Sequence, residues 1–257
     1  MDLKDFARYP GLKDRTVFIT GGGSGIGAAI TECFIDQGAK VCFIDIDDEA
    51  SRKLCVDLKS QYQREPLYIK CEIRDIAALR KAIADSARQL GPFSILVNNA
   101  ANDMRHSWRE VEPDYWDDRM AINLRPLFFT IQAIAPMMEK LGGGSIINFG
   151  SISWKIASAD MPAYVTAKAG IHGLTRGMAR DLGQAGIRVN TVLPGWVMTE
   201  RQKRLWLDEE GEKTIDRSQC LKGRLQPVDL ARMVLFLASD DARMCSAQEF
   251  IVDGGWA

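Results

Sequence analysis

Histidine is nearly absent from this 257-residue chain, which has only His106 and His172. Six cysteines are present (Cys33, Cys42, Cys55, Cys71, Cys220 and Cys245), but no two form a C-x-x-C pair. These scarcities exclude the usual zinc clusters, so no metal site is expected, and scattered single thiols suit a reducing cytoplasm. An excess of either charge is also missing: 33 Lys and Arg face 34 Asp and Glu, for a formal net charge of −1. That balance offers no footprint for nucleic acid and no polybasic patch for a membrane surface. The apolar stretch Leu127 to Met138 is too short to span a bilayer, and Pro136 interrupts it. The opening residues, Met1 to Arg8, are charged and carry no apolar core, so no secretory signal is expected. A soluble cytoplasmic protein is the expectation. No repeat, low-complexity tract or linker divides the chain, which therefore reads as one domain, 1–257.

What is present is an alternation of short β-branched or aromatic runs with longer amphipathic ones. Thr16 to Thr20, Lys40 to Ile46, Leu67 to Lys70, Ser94 to Asn98, Ser145 to Phe149, Ile187 to Leu193 and Glu249 to Val252 read as strands. Helices are expected at Gly25 to Gln37, Asp48 to Ser60, Asp75 to Leu90, Tyr164 to Gly183 and Pro227 to Ser239, with a long helical stretch before Ser145. Apolar strands separated by helices imply an α/β, doubly wound parallel sheet of the Rossmann type, with helices on both faces. One segment breaks the rhythm. Trp196 to Leu225 is charged and tryptophan-bearing, a long connection placed where a substrate lid would lie.

Thr20-Gly21-Gly22-Gly23-Ser24-Gly25-Ile26-Gly27 follows the first strand and opens the first helix. Glycines allow a tight turn and a close approach to a diphosphate, whose charge meets free N–H groups at the helix N-terminus. The spacing is G-x-x-x-G-x-G, through Gly21, Gly25 and Gly27; a purely structural glycine turn is the alternative. Asp45 ends the second strand, where a carboxylate can accept hydrogen bonds from ribose hydroxyls and repel a 2′-phosphate. With Ser at 24 and Ile at 46, no neighbouring cation in the sequence neutralises it, which favours NAD over NADP. The competing reading makes Asp45 a helix cap.

Tyr164 and Lys168 stand at i and i+4, neighbours on one helix face. A tyrosine ordinarily titrates near about 10, and an adjacent ammonium with a positive nicotinamide ring is expected to lower it. The pair alone is a weak signal. Its setting strengthens it: the fifth strand ends at Ser151, Asn98-Asn99-Ala100 closes the fourth, and Pro194-Gly195-Trp196-Val197-Met198-Thr199 follows the sixth. All three lie at carboxyl ends of strands, where open parallel sheets bind ligands.

TGGGSGIG, NNA, the Asn123 of MAINL, Ser151, YVTAK and PGWVMT occur in that order over nearly the whole chain. In this the chain resembles the short-chain dehydrogenase/reductase family. The resemblance implies that Tyr164 is the general acid/base, that Lys168 tunes it and binds the nicotinamide ribose, and that Ser151 orients the reacting oxygen. It implies that Asn123 holds a water linking Lys168 to solvent. Cofactor contacts are implied for Gly21, Ser24, Gly25, Ile26, Gly27, Asp45, Glu72, Ile73, Asn99, Ala100, Pro194, Gly195, Val197 and Thr199, besides Tyr164 and Lys168. Glu72 and Ile73 would flank the adenine, and Val197 and Thr199 the carboxamide. Two positions depart from the family pattern: Ala101 stands for a glycine, and Gly150 for the first serine of a pair. Ser153 competes with Ser151, and the family spacing favours Ser151.

NNAANDMRH (98–106), INFGSISW (147–154), SQCLKGR (218–224) and the closing VDGGWA resemble bacterial sugar 1-dehydrogenases acting on D-xylose, L-arabinose or D-galactose. That subgroup oxidises the anomeric hydroxyl of a cyclic aldose to an aldonolactone. Asn102, Ser153, Trp154, Trp196 and Gln202, with Ser151 and Tyr164, are the expected substrate contacts. His106 reads rather as a solvated loop residue, and Trp206 as lid packing. A homotetramer through the helices near Trp116 to Lys140 and Tyr164 to Gly183 is implied by the family alone. Enzymes of other substrate classes (polyol, steroid or 3-oxoacyl thioester) and a non-catalytic dinucleotide sensor are the rival readings.

Overall fold

The structure, a computed structural model, describes residues 6–257; Met1 to Asp5, part of the segment read for a secretory signal, lie outside them. Seven parallel strands form one sheet: β1 (Thr16–Thr20), β2 (Lys40–Asp45), β3 (Leu67–Lys70), β4 (Ile95–Asn98), β5 (Gly144–Phe149), β6 (Ile187–Pro194) and β7 (Glu249–Val252). Their order across the sheet is β3-β2-β1-β4-β5-β6-β7. The winding direction reverses between β1 and β4, so a crevice opens above the carboxyl ends of those two strands. Register sets Thr20 beside Asn98, and Asn98 beside Asn148, placing the strand ends in line.

Nine α-helices lie among the described residues: α1 (Gly25–Asp36), α2 (Asp48–Tyr62), α3 (Ile76–Leu90), α4 (Pro113–Asn123), α5 (Arg125–Lys140), α6 (Pro162–Leu182), α7 (Glu200–Leu205), α8 (Glu209–Ser218) and α9 (Pro227–Ala238). Successive side chains on a strand point to opposite faces, and both faces are apolar here. Val17 and Ile19 join Phe34 of α1, Leu58 of α2 and Val234 of α9 in one core layer. Phe18 between them turns the other way, toward Leu79 of α3, Ile134 of α5 and Leu182 of α6. No helix among the described residues is long and apolar enough to cross a membrane.

The elements differ from expectation where a side chain intervenes. The long stretch before β5 is two helices broken at Leu124, because Asn123 turns its amide back to the Arg119 carbonyl and across to the Asn102 loop. α6 begins at Pro162, two residues early, since proline's fixed φ suits the first helical turn. The Trp196 to Leu225 connection contains α7 and α8, each started by a side-chain cap, Thr199 Oγ1 for one and Asp208 for the other.

A buried polar chain crosses the middle of the sheet. Thr130 donates to Asn98 Oδ1 (2.7 Å), Asn98 to Asn148 Oδ1 (2.9 Å) and Asn148 to Thr175 Oγ1 (3.0 Å), while Thr191 donates to the same Thr175 oxygen (2.8 Å). It ties β4, β5 and β6 to α5 and α6 just beneath the carboxyl ends. Asn148→Leu leaves the Asn98 amide N–H without its acceptor, an orphan costing about 1–3 kcal/mol. Thermal unfolding followed by circular dichroism will show a midpoint lowered by several degrees; an unchanged midpoint would remove the network from the account.

Candidate active site

The glycine turn is shaped by contact. Gly21 has φ +66°, and a Cβ there would lie 2.9 Å from the Ala100 backbone; a Cβ on Gly27 would lie 1.8 Å from the Gly21 carbonyl. Asn99 Nδ2 donates to the carbonyls of Thr20 (3.2 Å) and Gly21 (2.9 Å), and Thr20 Oγ1 accepts from the N–H groups of Asn99 and Ala100. Asn99 and Ala100 therefore pin the turn to the end of β4. Ser24 makes no side-chain cap on α1, and no acidic residue sits in its first turn, whereas Asp47 and Asp75 cap α2 and α3. The N–H groups at Gly25, Ile26 and Gly27 thus lack the carboxylate partner that the neighbouring helices supply. This donor set fits the diphosphate of a dinucleotide.

Asp45 closes β2 beside that turn, accepting from Gly23 N (2.9 Å) and Asp47 N (3.0 Å). Lys70 lies opposite it in register on β3, a nearby cation that the linear sequence hid. Glu72 is drawn to the Arg74 guanidinium (2.7 Å), which holds its carboxyl below the ordinary range. The Ile73 side chain is buried in the core layer beneath, so the 72–73 pair presents backbone and one ion-paired carboxylate.

The structure brings Ser151, Tyr164 and Lys168 together above β5. Ser151 caps the short 3-10 turn Ile152–Trp154, accepting from Ser153 N (3.1 Å), and its hydroxyl favours the ionised form of the Tyr164 phenol. Lys168 Nζ donates to the Phe149 carbonyl (2.8 Å) and lies 5.5 Å from the Tyr164 ring centre. Burial pushes the Tyr164 phenol up from its ordinary value, the Asp103 carboxylate pushes it further, and only the Ser151 hydroxyl opposes them. Burial lowers Lys168 to about 8, with Asp103 acting against it. The expected lowering of the tyrosine is for the ammonium acting with a positive nicotinamide ring; in the protein alone burial dominates the phenol, and the Lys168 ammonium is turned to a carbonyl.

Asp103 is the residue that sequence reasoning missed. It stands immediately after Asn102, whose side chain is occupied in accepting from Met104 N (3.0 Å). Asn123 accepts from Asn102 N (2.8 Å) and donates to Asn102 O (3.1 Å), fixing the loop from both sides. Those bonds occupy most of the Asn123 amide, so it is first a tether for this loop. The only available signal was a carboxylate three residues beyond NNA. His106 is no solvated bystander: its Nε2 accepts from Ala163 N (3.2 Å), the residue before Tyr164, while Nδ1 faces the Met104 carbonyl and the Tyr115 hydroxyl.

The residues expected at the substrate divide. Ser153 Oγ and Trp196 Nε1 are buried polar atoms without a protein partner. Gln202 donates to Asp103 Oδ2, and Arg201 Nε to Asp103 Oδ1 (3.2 Å). Trp154 is committed elsewhere, donating to His172 Nε2 (2.9 Å) on α6, two turns beyond Tyr164. Gly150 makes that pairing possible, since a Cβ there would come within 3.3 Å of His172 Nε2. Gly195 lies against Asp253, with a Cβ reaching 2.7 Å from the Asp253 Cβ, and Pro194 leads into it at the end of β6. Val197 is a core side chain, and the Thr199 hydroxyl caps α7, leaving its methyl beside Gly25.

Comparison with known proteins finds close relatives over nearly the whole chain. A family profile described as enoyl-(acyl carrier protein) reductase matches residues 21–257. The chain is 50% identical over 250 residues to D-xylose 1-dehydrogenase of Caulobacter vibrioides, covering 97% of this chain and 98% of that one. It is 48% identical over 249 residues to the probable galactose dehydrogenase GalD of Rhizobium meliloti, covering 97% of each. A solved 7α-hydroxysteroid dehydrogenase, complexed with NADH and 7-oxo glycochenodeoxycholic acid, superposes with TM-score 0.91 at 31% identity, covering 100% of this chain and 98% of that one.

The electrostatics sets a pH dependence. Proton abstraction by Tyr164 needs the phenolate, so oxidation should quicken as pH rises toward its raised pKa. Asp103 raises both Tyr164 and Lys168. Asp103→Asn therefore shifts the whole profile of log kcat/KM for oxidation to lower pH; a profile that stays in place contradicts the coupling.

Proposed function

This chain belongs to the short-chain dehydrogenase/reductase family, and from that premise we propose that it oxidises C1 of a cyclic aldose with NAD, releasing an aldonolactone. The observation that carries the reading is the convergence of Ser151, Tyr164 and Lys168 above β5, in a chain about half identical to two relatives named for aldose substrates. When bound, the nicotinamide dinucleotide accepts the hydride. Ser151 Oγ holds the C1 hydroxyl oxygen, and Tyr164 Oη takes its proton. Lys168 Nζ, oriented by its bond to the Phe149 carbonyl, holds charge near that phenol and relays the proton to solvent. The Asn99-pinned glycine turn and α1 hold the diphosphate, and Asp45 accepts from the adenosine ribose hydroxyls, which selects NAD over NADP. Segment 196–225 acts as a substrate lid over the cleft.

The polar atoms around the cleft support a hydroxylated substrate. Ser153 and the Trp196 indole offer polar atoms that a steroid face or an acyl chain would leave unpaired, at about 1–3 kcal/mol each, and Asp103 has acceptor capacity beyond its bonds to Gln202 and Arg201. A non-catalytic sensor has no need of a buried Lys168 beside Tyr164. The homotetramer of the family would cover Trp116 of α4 and Phe128 of α5, both exposed in the single chain.

A single set of assays tests the reading. Purified protein with NAD is expected to form NADH with pentoses and hexoses, and not with steroids or hydroxyacyl thioesters. Tyr164→Phe should abolish that turnover while NAD binding stays nearly intact, and Asp45→Ala should narrow the preference for NAD over NADP. Turnover of steroids in place of sugars, or an active Tyr164→Phe, would overturn it.

A further inference from the structure

We propose that Asp103 is a specificity-determining residue: its carboxylate binds hydroxyls of the sugar remote from C1 and bars anionic substrates from the cleft. The proposal rests on the aldose reading above and names the group that reads the rest of the ring.

Three features place Asp103 in that role. It lies between the reacting pair and the lid, for Arg201 and Gln202 of α7 hold it from one side while its charge acts on Tyr164 and Lys168 on the other. Its acceptor capacity is only half used. An ionised carboxylate offers about four lone-pair sites, and each oxygen here accepts one bond, so one site per oxygen stays open. Two open acceptors on one carboxylate match two neighbouring hydroxyls of a sugar ring. Its position is also fixed, since Asn123 grips the preceding residue through both backbone groups. A side chain so placed reads hydroxyl stereochemistry rather than adapting to it.

The same charge excludes. Arg201 pairs with Asp103 itself, Lys168 is turned to the Phe149 carbonyl, and Arg105 lies over the Trp206 ring. A carboxylate or phosphate on the substrate would meet the Asp103 carboxylate with each of these cations already engaged, a repulsive element that sets specificity. Arg105 adds to the closure by stacking on the Trp206 ring, 4.4 Å from its centre, so the loop clasps the lid at two points.

The test compares wild type, Asp103→Asn and Asp103→Ala on D-xylose, D-galactose, their 2-, 3- and 4-deoxy analogues and D-galacturonate. For the wild type, loss of a hydroxyl read by Asp103 should cost about 10-fold or more in kcat/KM, mostly in KM. Asp103→Ala should shrink that penalty to about 2-fold or less, as expected once the site no longer pairs the hydroxyl. Asp103→Asn, nearly isosteric, should retain part of it and admit D-galacturonate. A residue that merely held the lid would lower kcat/KM for every sugar by one factor and leave the deoxy and uronate ratios unchanged; that result overturns the proposal. If the wild type oxidises no aldose, the functional reading itself falls and this proposal with it. If it oxidises aldoses but the ratios are those of the variants, only the role of Asp103 falls.

Discussion

The pair of hydrogen bonds between the Asn123 side chain and the Asn102 backbone holds the cleft in shape. Just upstream on the same loop, Asn99 pins the glycine turn. Just downstream, Asp103 and Arg105 engage the β6–α9 connection, and His106 supports the first turn of α6 beneath Tyr164. Eight consecutive residues thus join the dinucleotide turn, the acid/base helix and the lid. Without Asn123 these contacts would hang from a loop free to shift by more than a hydrogen bond tolerates.

Beneath that loop, the sheet supplies rigidity by a different means. The chain Thr130, Asn98, Asn148, Thr175 and Thr191 is wholly buried and internally satisfied, which low dielectric makes worth more than isolated surface bonds. It locks β4, β5 and β6 in register immediately below the strand ends that carry Asn99, Ser151 and Gly195. Burial above the sheet has the opposite electrostatic consequence. Tyr164 is driven toward the neutral phenol and Lys168 toward the neutral amine. The protein alone therefore keeps the proton on the tyrosine.

Much of the architecture was legible in the chain. Apolar runs such as Thr16 to Thr20, buried on both faces, admit only a covered parallel sheet, and the glycine turn could stand only between β1 and α1. The motif residues Ser151, Tyr164 and Lys168 were likewise visible by spacing, and the structure sets them side by side. What stayed hidden depends on contacts between distant segments. Asp103 is an unremarkable loop carboxylate until Arg201 and Gln202, about a hundred residues away, close on it. The Trp154 indole N–H is taken by His172, with room that Gly150 leaves, a pairing that nothing local in the sequence shows. Lys70 neighbours Asp45 only through strand register. The break at Leu124 follows from a side chain satisfying a backbone in another loop, which helical periodicity cannot report.

The central claim is hydride transfer from the anomeric carbon, with Tyr164 taking the hydroxyl proton. Oxidation of D-xylose or D-galactose deuterated at C1 tests it most directly. The account predicts NADH carrying one deuterium at the nicotinamide ring, a lactone product without label, and a primary isotope effect once chemistry limits the rate. Deuterium retained in the sugar product, with unlabelled NADH, would contradict it.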